Sequence, residues 1–398
     1  MRRLSNVQAL ERSEVMRVSV VVPLYNKARW VRRSLDSIAA QSLRDFEVIV
    51  VNDGSTDGSE ELVEQYPDPR FRLVNQQNAG PGAARNRGIA ESRAPLVAFL
   101  DADDEWLPTY LERSVRLLER SGPEVAATTC CYYELPASVH RRELWRLRGV
   151  RDGLFRTQPD TPPSRLVHLL AFMSPWSTIA RREVLDRYGG FFGRERCLYG
   201  EDAFLWLKVL LNETLVFSLE PLVRYHTEAS ALSRNLQGPR QVEPFLLYPE
   251  ELELACPKRL KHVLREVLAI RAAKTACMLS WWGRWREARA LVDRFAEDRP
   301  LREPWTLASR AFTNPVAALA ARVCRETLVR ARAGDHLAAP PTADSWAMRF
   351  PWASSLVPDD PVPVQTRQPA QTREPPANRR LEHEAQSTAW LGAEGAGP

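Results

Sequence analysis

Pro95-Leu96-Val97-Ala98-Phe99-Leu100-Asp101-Ala102-Asp103-Asp104-Glu105-Trp106 is the stretch on which the reading of this chain turns. Its first half is apolar and bounded by Pro95 and by charge, the pattern of a short strand buried in a sheet. The strand runs straight into carboxylates. In an open α/β sheet, ligands bind beyond the carboxyl ends of the strands. Carboxylates one residue apart at that place form a hard-oxygen site for Mg²⁺ or Mn²⁺, which usually share their coordination with a substrate's phosphates. A plainer reading competes. Acidic residues after a strand often form a solvated loop or a cap, with Asp103 or Asp104 capping a helix that Trp106 begins.

The preceding residues carry the same pattern three more times. Val18-Ser19-Val20-Val21-Val22-Pro23 is a β-branched run that predicts a buried strand ended by Pro23, with Tyr25 and Asn26 at its carboxyl end. A helix follows over about 28–40, with Val31, Leu35 and Ile38 on one face. Phe46-Glu47-Val48-Ile49-Val50-Val51 is a second strand. It feeds Asn52-Asp53-Gly54-Ser55-Thr56-Asp57-Gly58-Ser59, and Leu62 and Val63 mark the next helix. Phe71-Arg72-Leu73-Val74 is a third strand, and Gly80-Pro81-Gly82 then opens a helix over about 83–92. This alternation predicts βαβ units and a parallel sheet.

The loops exclude some chemistries. The segment after the second strand has neither the acidic order of an EF-hand nor a Walker Gly-Lys-Ser/Thr end, and no Gly-x-Gly-x-x-Gly is present. A plain turn competes there, but Asp53 stands where the strand ends, able to accept an N–H from a bound base. The helix that Gly80-Pro81-Gly82 opens points unpaired N–H groups at whatever lies before it; Arg85 and Arg87 read either as phosphate ligands, Arg85 in the first turn being the better placed, or as plain surface charges.

The totals are those of a globular protein: 398 residues, 44% hydrophobic and 26% charged, with net charge +5. A pI near 9.0 is only mildly basic, and no nucleic-acid partner is expected. Six scattered cysteines without a Cys-x-x-Cys pair read as reduced thiols of a cytoplasmic protein. Residues 1–16 read as a flexible leader without a signal-peptide apolar region. No apolar run approaches the roughly 20 residues that span a bilayer, which leaves peripheral attachment to the inner face of the plasma membrane open.

Pro23-Leu24-Tyr25-Asn26, the loop Asn52 to Asp57, the segment Asn78 to Gly88 and Asp101-Ala102-Asp103-Asp104, in this order and spacing, resemble the motifs of glycosyltransferase family 2. The resemblance covers about 18–235. It implies a GT-A type αβα sandwich with a mostly parallel central sheet over 17–240, a nucleotide-sugar donor, most simply a UDP-sugar, and a divalent metal, Mn²⁺ or Mg²⁺. It places Pro23, Tyr25, Asn26 and Asp53 around the nucleobase, with Asp53 on the uracil imide. Arg85 and the Asn78 loop approach the nucleotide, Asp101 the ribose side, and Asp103 the metal; Asp104 leaves that ligand ambiguous by one residue.

Farther on, Leu107 to Leu118 predicts an amphipathic helix and Glu124 to Tyr133 a strand. Residues 137–164, rich in Arg, are expected to be an irregular solvated loop, with an acceptor-binding flap as the other reading. Pro175-Trp176-Ser177-Thr178-Ile179 resembles the family stretch beneath the donor sugar. Gly200-Glu201-Asp202 precedes an amphipathic helix with Leu205, Val209 and Leu210. Glu201 and Asp202 there can be dipole-favoured first-turn residues, but the family places a Glu-Asp pair at this point. By that resemblance Asp202 is the general base and Glu201 an acceptor contact. Leu215–Phe217 and Leu222–His226 predict two strands, and the resemblance puts His226 with the metal or phosphate.

From about Val242 the resemblance fades. Helical periodicity over 250–295 and about 315–332 predicts a helical appendage over 241–335, and a Pro-rich, polar composition a disordered tail over 336–398. The reading is an inverting, metal-dependent glycosyltransferase acting on a glycan or lipid-linked acceptor in bacterial polysaccharide or cell-surface glycan synthesis. Its rivals are a non-catalytic nucleotide-sugar-binding or scaffold protein and a dinucleotide-dependent oxidoreductase, the latter opposed by the missing glycine fingerprint.

Overall fold

A computed structural model describes residues 16–229 and 240–297, together with 309 and 313. The leader up to residue 15, Ser230 and Ser233, the helix expected over 315–332 and the Pro-rich tail lie outside the described residues.

In chain order the first elements are β1 (Val18–Leu24), α1 (Val31–Ala39), β2 (Phe46–Asn52), α2 (Ser59–Glu64), β3 (Phe71–Asn75), α3 (Pro81–Glu91) and β4 (Leu96–Phe99). Then come β5 (Glu105–Trp106), α4 (Tyr110–Arg120), β6 (Val125–Leu135), β7 (Val139–His140), α5 (Arg142–Leu147), β8 (Gly153–Arg156) and α6 (Pro163–Phe172). β9 (Thr178–Arg181), α7 (Arg182–Arg187), α8 (Glu201–Asn212) and β10 (Thr214–His226) complete the sheet-bearing part. The helices α9 (Pro244–Leu247), α10 (Pro249–Ala255), α11 (Lys261–Trp281) and α12 (Trp285–Arg294) follow.

The strands form a ten-stranded sheet in the order β3-β2-β1-β4-β9-β6-β10-β5, with β7 on β6 and β8 on β10. The long pairings, β1 with β2 and β6 with β10, are parallel; β9, between β4 and β6, is antiparallel to both. The central strands are apolar without alternation because both faces are covered. Val21, Ile49, Val51, Val97 and Phe99 enter one core, and Val20, Val22, Val48, Val50 and Ala98 the other. The second core is closed by Val31, Leu35 and Ile38 of α1 and by Leu111, Val115 and Leu118 of α4. The result is a mixed αβα sandwich of GT-A type.

Three expectations are corrected. Trp106 does not begin a helix: Glu105-Trp106 pairs with Arg224 and Val223 as an edge strand, and the helix starts at Tyr110. Residues 137–164 are not irregular, since β7, α5, β8 and the start of α6 lie within them. Trp145 holds this region, fully buried and stacked on Phe172 at 5.0 Å. One buried aromatic among arginines leaves no periodicity to read. The two strands expected at 215–217 and 222–226 are one strand, β10, whose register against β6 slips on either side of Pro221. Proline lacks the N–H that the ladder needs there.

The helices beyond 240 are not laid against water alone. Leu260, Val263, Leu264, Val267 and Leu268 share one apolar core with Phe204, Leu207 and Leu211 of α8.

Candidate active site

The carboxyl ends of β1, β2 and β4 converge, and their loops hold one another. Asn26 has φ 51°, a left-handed conformation that Asn tolerates better than most residues. Its N–H donates to Ser55 Oγ (3.1 Å) and its Oδ1 accepts the Thr56 N–H (2.8 Å). Tyr25 beside it is 47% exposed, and Pro23 is half-buried. Asp53 is buried. Its Oδ1 accepts Gln76 Nε2 (2.7 Å) and the Ala79 N–H (2.8 Å), and its Oδ2 accepts the Gly80 N–H (2.9 Å). The loop into α3 is therefore moored on Asp53. Within it, Asn78 Oδ1 accepts from Arg196 Nη2 at 2.8 Å.

Arg85, on α3, is buried and joins two carboxylates far apart in the sequence. Its Nη2 donates to Asp101 Oδ1 at 2.7 Å and its Nη1 to Glu201 Oε1 at 2.8 Å. Burial opposes its charge, but Asp101 and Glu201 overcome that and hold its pKa above the ordinary value. Glu201 and Asp202 form the first turn of α8, capped by Gly200 at φ +78°. Surrounding protein and the Glu201 carboxylate push the Asp202 carboxyl up to about 7, against the pull of Arg85.

The carboxylate cluster is held from both sides. Asp103 Oδ2 accepts from Lys27 Nζ at 2.5 Å, and the same ammonium donates to the Ala229 carbonyl at 3.0 Å. Asp104 Oδ1 accepts the His226 N–H at 2.8 Å. Burial raises Asp103 above the usual carboxylate range despite Lys27, with Asp101 adding to it; burial, Asp103 and Asp101 raise Asp104 further.

Trp176 is 6% exposed and stacked on Tyr225 at 5.3 Å, with its carbonyl accepting from Trp106 Nε1 at 2.8 Å. The His226 ring lies between two other carboxylates. Its Nε2 lies 2.6 Å from Glu105 Oε1 and its Nδ1 2.8 Å from Glu228 Oε1. Both ring nitrogens thus lie within hydrogen-bond distance of a carboxylate oxygen.

The Glycosyl transferase family 2 model matches residues 19–189. This stretch is similar to the glycosyltransferase family 2 domain. Glycosyltransferase GlyA of Streptococcus pneumoniae is 27% identical over 230 residues, 55% of this chain and 32% of that protein. The uncharacterized glycosyltransferase YibD of Escherichia coli is 34% identical over 175 residues, 42% of this chain and 49% of that one. The chain thus spans a third to a half of the length of these relatives. Among solved structures, Staphylococcus aureus TarS 1–349 in complex with UDP-GlcNAc matches with TM-score 0.49 and 18% identity, covering 74% of this chain and 92% of TarS 1–349.

Arg85 and Asp101, inside the matched stretch, meet Glu201 and Asp202, which follow it, and Asp53 supports the Asn78 loop. A divalent cation suits the acidic cluster by its donor set. Asp101, Asp103 and Asp104 are hard-oxygen groups, and burial and neighbouring charge disfavour ionisation of Asp103 and Asp104, a penalty that a cation relieves. Among the described residues no group of three or more His, Cys, Asp or Glu side chains has metal-holding geometry. Residues that sequence reasoning missed are Lys27, Arg33, Glu105 and Glu228. Arg33 Nη2 donates to the Asp103 carbonyl at 2.6 Å. Lys27 left a signal: lysine is rare in this arginine-rich chain, and it directly follows Tyr25-Asn26 at a strand end.

Proposed function

We propose that this chain transfers a sugar from a nucleotide-sugar donor, a UDP-sugar, to an acceptor hydroxyl with inversion at the anomeric carbon. The observation that carries the reading is the Arg85 bridge. One buried guanidinium gathers the end of β4 and the start of α8, so that Asp101 and the Glu201-Asp202 pair border a common place. Donor-binding loops and a raised carboxyl at the same spot suit a transfer reaction.

In this reading Pro23, Tyr25, Asn26 and Asp53 form the base pocket, with Asn78 and Arg85 toward the nucleotide and Asp101 toward the ribose. Trp176 forms the floor beneath the sugar, and Glu201 contacts the acceptor. Ionised Asp202 takes the proton of the acceptor hydroxyl. The freed oxygen attacks the anomeric carbon on the face opposite the nucleotide, and the bond to the diphosphate breaks with its electron pair leaving on the diphosphate. An α-linked donor therefore yields a β-linked product. Asp103 would hold a divalent cation, Mn²⁺ or Mg²⁺, which would supply charge neutralisation for the leaving diphosphate. His226 serves in positioning Glu105 and Glu228. The acceptor class is a glycan or lipid-linked saccharide of bacterial cell-surface polymer synthesis.

The test is Asp202→Asn. Transfer is lost by at least a thousandfold while UDP binding by calorimetry stays within about threefold. Near-wild-type turnover in that variant would remove Asp202 as base, and wild-type UDP binding without turnover toward any acceptor would favour a non-catalytic binding protein.

A further inference from the structure

The turn that presents Asp202 is braced by residues beyond the family 2 match. Glu243 is 2% exposed and lies against Gly200, where an added Cβ would sit 3.1 Å from Glu243 Cγ and 3.2 Å from its Cβ. Gly200 is needed twice, for its φ of +78° and for the space. The Glu243 carboxylate is turned away from the turn. Its Oε1 accepts from Arg271 Nη2 at 2.7 Å and its Oε2 from Thr275 Oγ1 at 2.7 Å, both one helical turn apart on α11.

The preceding residues run alongside the same turn. Gln241 Oε1 accepts the Leu198 N–H at 2.9 Å, and Arg240 Nη1 donates to the Tyr199 hydroxyl at 3.4 Å. Upstream in the turn, Arg194 pairs with Glu251 at 2.5 Å and Glu195 Oε1 accepts from Tyr248 at 2.5 Å. Segment 240–251 therefore grips 194–200 along its length.

The Glu243–Arg271 pair is buried on both sides. Such a pair is seldom worth more to stability than apolar residues of the same volume. A role in placing its neighbours accounts for its presence better than stability does. Resting on the reading of Asp202 as base, we propose that Glu243, neutralised by Arg271, is a positioning residue that sets the Gly200 turn and so the location of the Asp202 carboxylate. The charged groups facing Asp202 are Glu201 on its own helix, Arg85 from α3, Asp101 after β4 and Arg271 from α11, with the Cys197 thiol in the preceding loop. Glu243 balances the Arg271 member of that set, and Lys274 on α11 also faces the pair.

Glu243→Gln in the full chain tests this. The amide keeps the volume and leaves the Arg271 cation unopposed. We expect a folded protein with donor KM within twofold of wild type, kcat reduced ten- to hundredfold by misplacement of the base, and the acidic limb of the pH–kcat profile displaced downward by about half a unit. Adding Arg271→Met removes the stranded cation and returns the limb, but not kcat, to wild type. Wild-type kcat in Glu243→Gln, or a loss confined to donor KM, overturns the proposal. If Glu243→Gln does not fold, the double variant decides by the same kcat and KM criteria, because it leaves no unpaired charge. Turnover retained in Asp202→Asn instead removes the base reading itself, a result distinguishable from either.

Discussion

Replacing Arg85 by Met tests the convergence on which the site depends. The guanidinium is 4% exposed and makes its two charged hydrogen bonds at 2.7 and 2.8 Å. Methionine keeps most of the volume and none of the charge. Glu201, 7% exposed, then has no cation beside it, whereas Asp101, more open to solvent, is partly rescued by water. Breaking a buried pair on one side costs about 3–5 kcal/mol, a large share of the roughly 5–15 kcal/mol that holds a domain folded. Arg85→Met should therefore lower the urea midpoint strongly. Arg85→Met with Glu201→Gln should recover about half of the loss, because the stranded carboxylate is gone. The two single changes should accordingly be non-additive by about 1–3 kcal/mol. A midpoint for Arg85→Met within the equivalent of 1 kcal/mol of wild type, or strict additivity, would refute the bridge.

The remaining predictions concern chemistry, cation binding and packing. With the Asp202 carboxyl pushed up to about 7, its ionised form is the minor one below that pH, so kcat/KM should be about tenfold lower at pH 6 than at pH 8 at constant Mn²⁺ and ionic strength; an acidic limb near pH 4 would mean an ordinary carboxylate. Lys27 competes for Asp103, so Lys27→Met should strengthen Mn²⁺ binding without nucleotide by roughly tenfold in calorimetry, and Asp103→Asn should weaken it; unchanged Mn²⁺ affinity in both would remove the cluster as the cation site. Trp145→Ala should cost about 3–5 kcal/mol in urea unfolding, since the ring is fully buried while its Nε1 has no hydrogen bond to lose; a loss under 1 kcal/mol would mean that 137–164 is loosely attached after all.

The sheet was legible because its central strands are buried on both faces. A strand covered twice must be apolar at every position, and Val18–Leu24, Phe46–Asn52 and Leu96–Phe99 are nearly so. The residues at their carboxyl ends were legible for the same reason, since a chain leaving a buried strand meets the site directly. The short elements of 139–156 were not, because a six-residue helix pinned by one tryptophan has no period. Nor was β10, whose continuity across Pro221 depends on the partner strand β6 to carry the ladder past it.

Local sequence determined which carboxylates stand at strand and helix ends, because burial and turn geometry act over a few residues. Only the tertiary structure decided their partners: that Arg85 joins Asp101 to Glu201, that Lys27 sits on Asp103, that His226 turns to Glu105 and Glu228, and that Glu243 rests on Gly200. Side chains pair through space, over separations of up to 121 residues along the chain, and no pattern of neighbours encodes which of several available groups a side chain will meet.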